Sequence, residues 1–138
     1  MPYTRGMTTC AKTTGDSVGE AIISIIDDDE AVRSSLDSLM RSLGLRSAAF
    51  ASAEEFLRSA LSSRPGCVIS DVDLPGGMNG FELGAKLAAV SRQPLILISG
   101  RSDKDYEARA QNVGAICFLR KPFSAETLIA RLATVITI

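Results

Sequence analysis

The sequence predicts an α/β protein built on a five-stranded parallel sheet. Short apolar runs rich in β-branched residues alternate five times with segments whose apolar residues recur at helical spacing. Apolar runs without polar alternation are typical of parallel strands that are buried on both faces. Because parallel neighbours need long right-handed crossovers, we expect helices on both faces of a doubly wound sheet.

The predicted elements begin after residues 1–20, a stretch rich in Thr and Gly without periodicity. We expect a flexible N-terminal tail there and one domain over residues 21–138. The predicted strands are 21–26, 45–50, 67–70, 95–98 and 115–119. The predicted helices are 32–43, a short one from Ser52 to the break at Pro65, then 81–90, 102–113, and one from Ser124 to about Thr137. Gly44 and Gly114 close the first and fourth helices, and the weak second strand belongs near a sheet edge.

Composition limits the possible functions. Of 138 residues, 46% are hydrophobic, and 15 Lys and Arg nearly balance 16 Asp and Glu, so charge does not suggest a nucleic-acid or membrane partner. No apolar run approaches the ~20 residues of a membrane span. The chain has no histidine and no CxxC pair among Cys10, Cys67 and Cys117. We therefore expect a reduced, cytoplasmic protein whose chemistry does not use histidine.

Polar residues gather where the predicted strands end. Those residues are Asp27, Asp28 and Asp29 after strand 1, Asp71 and Asp73 after strand 3, Ser99 after strand 4, and Lys121 after strand 5. Ligands of doubly wound sheets bind outside the carboxyl ends of the strands, at the point where the strand order reverses. The flavodoxin-like order 2-1-3-4-5, taken from known folds rather than derived from this sequence, places Asp27, Asp28 and Asp71 side by side.

Three adjacent carboxylates repel one another unless a cation joins them. Oxygen ligands with open positions suit Mg²⁺, and Lys121 adds a second positive charge. A carboxylate, a hydroxyl and two cations suit phosphoryl transfer, in which the aspartate attacks phosphorus and the cations neutralise the phosphoryl oxygens. The simpler interpretation is that the acidic run only begins a helix, and we expect that role for Asp29.

Four segments at these strand ends resemble the signatures of response-regulator receivers. They read IIDDDE at 25–30, ISDVDLP at 69–75, LISG at 97–100 and FLRKPF at 118–123. The likeness extends over residues 21–137 and is nearest to the nitrogen-fixation regulator type. It implies two-component signalling, in which a histidine kinase phosphorylates the receiver.

The resemblance also implies a role for each matching residue. Asp71 is the phosphoacceptor, Asp28 a direct Mg²⁺ ligand, Asp27 a ligand through water, and the Asp73 backbone carbonyl completes the metal site. Lys121 binds the phosphoryl group, and the Lys121–Pro122 bond is expected to be cis. Ser99 is the switch hydroxyl and Phe118 the aromatic switch residue. Such a receiver is not an enzyme in the usual sense, because it catalyses only its own phosphorylation and dephosphorylation.

A downstream protein or a second copy would bind the face made by helix 4, strand 5 and helix 5. The predicted elements leave no room for a helix-turn-helix, so this domain alone is not expected to bind nucleic acid, and we expect no membrane contact. The sequence departs from the usual pattern of this family at two places. The loop containing Gly76 and Gly77 is one residue longer than usual, and Asp73 adds an acidic side chain near the acceptor, which Arg101 is placed to counter.

Three other functions fit parts of the sequence. The Asp71-Val72-Asp73 motif resembles that of haloacid-dehalogenase-type phosphatases, although theirs follows the first strand. A pseudo-receiver would bind partners without phosphorylation, but it need not keep Asp28, Asp71, Ser99 and Lys121 together. A dinucleotide-binding domain would show GxGxxG after the first strand, and none is present.

Overall fold

The computed structural model describes residues 21–101 and 103–136, which form a parallel sheet with helices on both faces. The strands are β1 (Ile22–Ile26), β2 (Arg46–Phe50), β3 (Gly66–Asp71), β4 (Leu95–Ser99) and β5 (Cys117–Arg120). Their order is β2-β1-β3-β4-β5 and each neighbouring pair is parallel. The predicted fold class and strand order are confirmed, including the edge position of β2. The tail expected over residues 1–20 lies outside the described residues.

The helices are α1 (Glu30–Ser42), α2 (Ala53–Arg58), α3 (Gly80–Val90), α4 (Lys104–Asn112) and α5 (Ala125–Leu132), with a 3-10 turn at Ala60–Ser63 after α2. Side chains cap their first turns as the sequence suggests, since Ser52 accepts from the Glu55 N–H and Ser124 from the Thr127 N–H. Gly44 follows α1 with a φ of 76°, a left-handed conformation that favours glycine. No helix within the described residues is long and apolar enough to cross a membrane.

Two apolar clusters cover the two faces of the sheet. One joins α1 and α5 to β1, β3 and β4, with Leu36, Met40, Leu128 and Leu132 fully or almost fully buried. The other joins α2, α3 and α4 to the opposite face. The central strands β1, β3 and β4 are therefore buried on both sides, which explains why their sequences are apolar without alternation.

The last helix differs from the prediction, because it ends at Leu132 and not near Thr137. The chain continues in a turn, where the hydroxyl of Thr134 donates to the Arg131 carbonyl at 2.7 Å. Thr134, Val135 and Ile136 are β-branched, and such residues lose side-chain freedom in a helix. Ile136 still packs against the α1–α5 cluster.

Candidate functional site

The strand register brings the predicted site residues to one edge of the sheet. Ile26 of β1 pairs with Ser70 of β3, so the next residues, Asp27 and Asp71, are neighbours. On the other side Asp71 pairs with Ile98, which places Ser99 one step beyond. Lys121 follows β5, and its backbone N–H donates to the Ser99 carbonyl at 2.8 Å.

Three carboxylates form a cluster at this edge. Oxygen atoms of Asp27, Asp28 and Asp71 all lie within 4.8 Å of one another. Asp27 is 0% exposed and Asp71 is 5% exposed, whereas Asp28 faces solvent. The cluster is thus open on one side and buried on the other, and two of its charges lie where water cannot neutralise them.

Lys121 lies between the two buried carboxylates. Its Nζ is 3.0 Å from Oδ2 of Asp27 and 3.1 Å from Oδ2 of Asp71. Burial alone would lower the pKa of Lys121, but hydrogen bonds and charges from the two aspartates outweigh that effect and raise it. Burial, followed by the charge of Asp27, raises the pKa of Asp71, and the opposing effects of the Asp73 N–H and Lys121 do not cancel this. One ammonium therefore does not fully compensate the cluster.

Backbone groups fix the orientation of both buried carboxylates. The Asp29 N–H donates to Oδ1 of Asp27 at 2.9 Å, and the Asp73 N–H donates to Oδ1 of Asp71 at 3.1 Å. Asp29 itself caps α1 by accepting from the Ala31 N–H, which is the simple role expected for it. The expected cis bond between Lys121 and Pro122 is present.

The donor set fits a hard divalent cation. Three carboxylates supply only oxygen ligands, one of them from the solvent side, and together they exceed the charge of Lys121 by two. Mg²⁺ prefers such oxygen ligands and keeps several of its waters, which the open side permits.

Ser99 and Asp73 are joined by a hydrogen bond that the sequence does not reveal. The buried Ser99 hydroxyl donates to Oδ2 of Asp73 at 2.7 Å and accepts from the Arg101 N–H at 3.0 Å. The hydroxyl of Tyr106, in the first turn of α4, donates to Oδ1 of the same carboxylate at 2.7 Å. This hydrogen bond raises the pKa of Tyr106. Tyr106 is the site residue that sequence reasoning missed.

Tyr106 also links this carboxylate to the predicted aromatic switch. It is 8% exposed, and its ring meets Phe118 at 6.4 Å and Phe81 at 5.1 Å, both edge to face. We expected Arg101 to counter the charge of Asp73, but its guanidinium is directed to other groups. Its guanidinium lies 4.3 Å above the Tyr106 ring and forms an ion pair with Asp103 at 2.8 Å.

The long loop after β3 is held at both ends. The Met78 N–H donates to Glu54 of α2 at 2.7 Å, and this bond is the main reason why the pKa of Glu54 is lowered. The loop ends where Gly80 begins α3 directly against β3. A Cβ on Gly80 would lie 2.7 Å from the Asp71 carbonyl oxygen, a backbone atom that cannot rotate away. The close approach at Gly80 thus holds the start of α3 against the acceptor strand.

Comparison with known proteins gives a consistent result. The family model described as the response regulator receiver domain matches residues 23–133. The chain is 43% identical over 116 residues to the response regulator protein TmoT of Ectopseudomonas mendocina, covering 83% of this chain and 52% of TmoT. It is 37% identical to the transcriptional regulatory protein FixJ of Bradyrhizobium diazoefficiens, covering 83% of this chain and 56% of FixJ. It therefore spans about half the length of these curated relatives.

Solved structures agree with these sequence matches. The FixJ-N crystal structure superposes with a TM-score of 0.75 at 32% identity, covering 83% of this chain and 91% of that one. The chemotaxis protein CheY4 of Vibrio cholerae superposes with a TM-score of 0.76 at 27% identity, covering 85% and 99%. The predicted likeness to the nitrogen-fixation type is confirmed. The chain belongs to the response regulator receiver domain family of two-component systems.

Proposed function

We propose that this domain accepts a phosphoryl group on Asp71 from a histidine kinase in the presence of Mg²⁺. The observation that carries the proposal is the buried Asp71 carboxylate with Lys121 at 3.1 Å and two further carboxylates within 4.8 Å. The carboxylate is oriented by the Asp73 N–H, and an oxygen of the exposed Asp28 lies within 4.8 Å of it. The nucleophile, one cation and the oxygen ligands for a second cation are thus already assembled, as phosphoryl transfer requires.

In the proposed step, an Asp71 carboxylate oxygen forms a bond to phosphorus while the bond from phosphorus to the donor's leaving atom breaks. That atom is a histidine nitrogen in the kinase, or an acetate oxygen when acetyl phosphate is the donor. It leaves with the bonding electron pair. Lys121 Nζ already lies at the carboxylate and is placed to bind a phosphoryl oxygen.

Asp28 and Asp71 would hold Mg²⁺ directly, Asp27 would do so through water, and the Asp73 backbone carbonyl would complete the site. The metal supplies positive charge against the phosphoryl oxygens, which adds to that of Lys121. Water hydrolyses the acyl phosphate afterwards, so the domain resets itself and turns over no separate substrate.

The phosphoryl group carries about 1.5 to 2 negative charges in place of the single charge of the Asp71 carboxylate, so the negative charge beside Ser99 increases. Ser99 then turns toward it, Phe118 follows, and the face formed by α4, β5 and α5 changes its shape for a downstream protein or a second copy. Phe118 is half-buried against the α2–α4 cluster, so its movement would alter packing beneath α4.

Acetyl phosphate labelling followed by intact mass tests this function. We expect the wild type to gain one phosphoryl mass with Mg²⁺ and none with a chelator. Asp71→Asn should gain none, while Asp105→Asn, on the exposed face of α4, should label as the wild type does. Mg²⁺-independent labelling, or equal labelling of Asp71→Asn, would contradict the proposal. Steady hydrolysis of an added phosphoester would favour the phosphatase alternative.

A further inference from the structure

We propose that Asp73 and Tyr106 are positioning residues that hold the switch hydroxyl of Ser99 in the resting state. We call Asp73, Ser99 and Tyr106 the Asp73 latch. The inference rests on the proposed function, because it concerns how phosphorylated Asp71 would release Ser99. It gives Asp73 a second role, through its side chain, beyond that of its backbone carbonyl.

The latch joins three separate elements through one carboxylate. Asp73 lies in the loop after β3, Ser99 ends β4, and Tyr106 lies in the first turn of α4. Each carboxylate oxygen accepts one hydroxyl proton, both at 2.7 Å. Hydrogen bonds to an ionised acceptor are stronger than those between neutral groups. The carboxylate therefore fixes the end of β4 and the start of α4 relative to the acceptor loop.

Ser99 cannot serve Asp73 and a phosphoryl group together. A serine hydroxyl has one proton to donate, and in this structure that proton is directed to Asp73. A phosphoryl group on Asp71 must compete for it. Asp73 lies two residues after Asp71, and both side chains are negatively charged. Phosphorylation of Asp71 therefore also repels the Asp73 carboxylate, which disfavours the latched arrangement.

Tyr106 carries the consequence to α4. Its ring lies between Phe81 and Phe118, and Arg101 covers its face. When Ser99 leaves, it no longer fixes the orientation of the Asp73 carboxylate, and because Asp73 is exposed, water can then replace the Tyr106 hydroxyl at that carboxylate. The start of α4 and the Phe118 ring are then free to rearrange together.

The decisive variant is Tyr106→Phe, which removes one latch hydrogen bond but keeps every charge and the aromatic ring. A ligand that binds only the unlatched state gains apparent affinity when the resting state loses a bond. We expect beryllofluoride, a phosphoryl analogue, to bind Tyr106→Phe with Mg²⁺ about fivefold more tightly than the wild type, because water already competes for the exposed carboxylate. Tyr3→Phe, which removes the hydroxyl of the other tyrosine in the sequence, is the control and should leave the affinity unchanged.

A spectroscopic measurement tests the same inference without comparing affinities. The chain contains two tyrosines, so Tyr3→Phe leaves Tyr106 as the only source of tyrosine emission. A tyrosine that donates to a carboxylate is quenched. We expect emission in this background to rise when acetyl phosphate labels Asp71, and Asp73→Ala should be bright before labelling.

The outcomes separate the latch from the proposed function. If intact mass shows labelling while emission stays constant and Tyr106→Phe binds beryllofluoride no more tightly than the wild type, the latch is wrong and the receiver function stands. If Asp71 is not labelled at all, the proposed function fails and the latch inference fails with it.

Discussion

Replacing Lys121 by methionine tests the electrostatic account of the site. The ammonium pairs with two buried carboxylates, at 3.0 Å from Asp27 and 3.1 Å from Asp71, and the Lys121 side chain is itself only 27% exposed. At an effective dielectric constant of about 20, each pair attracts by roughly 5 kcal/mol, most of which desolvation of the charges offsets. Removing one partner of a buried ion pair costs about 3 to 5 kcal/mol. Because Lys121 is partly exposed, we expect Lys121→Met to lower the free energy of unfolding by about 3 kcal/mol.

Urea denaturation, once with a chelator present and once with Mg²⁺, measures this change in the free energy of unfolding. A cation that binds only the folded state at about 100 times its Kd stabilises by about 2.7 kcal/mol. Because Lys121 competes for the same oxygens, Mg²⁺ should stabilise Lys121→Met more than the wild type. Lys86→Met, on the exposed face of α3, is the control and should match the wild type in both conditions. Equal Mg²⁺ increments, or an undiminished stability of metal-free Lys121→Met, would refute the reasoning.

Three further predictions concern stability and reactivity. Gly80→Ala should lower the free energy of unfolding by about 1 to 3 kcal/mol, because its Cβ would meet backbone, whereas Gly100→Ala, with open space around it, should cost far less in the same urea titration. Cys67 is fully buried, and burial raises its pKa to about 12, so its thiol should resist iodoacetamide until the protein unfolds. If peptide mapping finds Cys67 alkylated in folded protein, the apolar cluster under α1 and α5 opens readily. The folded-state pKa of Lys121 lies above its ordinary value of 10.5, so its contribution to stability is complete below that pH and is lost as pH rises through the folded value. Metal-free wild type should therefore lose more stability than Lys121→Met in alkaline urea titrations, and parallel losses would argue against the ion pair.

The sequence predicts the sheet well because strands that are buried on both faces have sequences that are apolar throughout. The apolar runs that became β1, β3 and β4 contain few polar residues, and each ends at, or directly before, a residue of the site. The strand order had to be taken from known folds, since neighbouring strands are far apart in the chain. The end of α5 was misplaced because the apolar pattern continues through Val135 and Ile136, which pack on the core from a turn.

The acidic cluster was predictable once that strand order was assumed, because its members lie at the carboxyl ends of β1 and β3, which are neighbours in it. The hydrogen bonds of Asp73 were not, because they depend on where α4 begins. Asp103 caps that helix and sets the direction of Tyr106, yet α4 is polar and only weakly periodic. An aromatic residue in the first turn of a polar helix is the one signal in the sequence that could have indicated Tyr106.

Mapping the phosphorylated residue tests the central claim most directly. Borohydride reduces an aspartyl phosphate to homoserine, which marks the modified position permanently for peptide mass spectrometry. After treatment with acetyl phosphate and Mg²⁺, we predict homoserine at position 71 alone, with Asp27, Asp28 and Asp73 unchanged. Homoserine at any of those three positions instead, or none at position 71 in protein that carries a phosphoryl mass, would contradict the assignment of Asp71 as the acceptor.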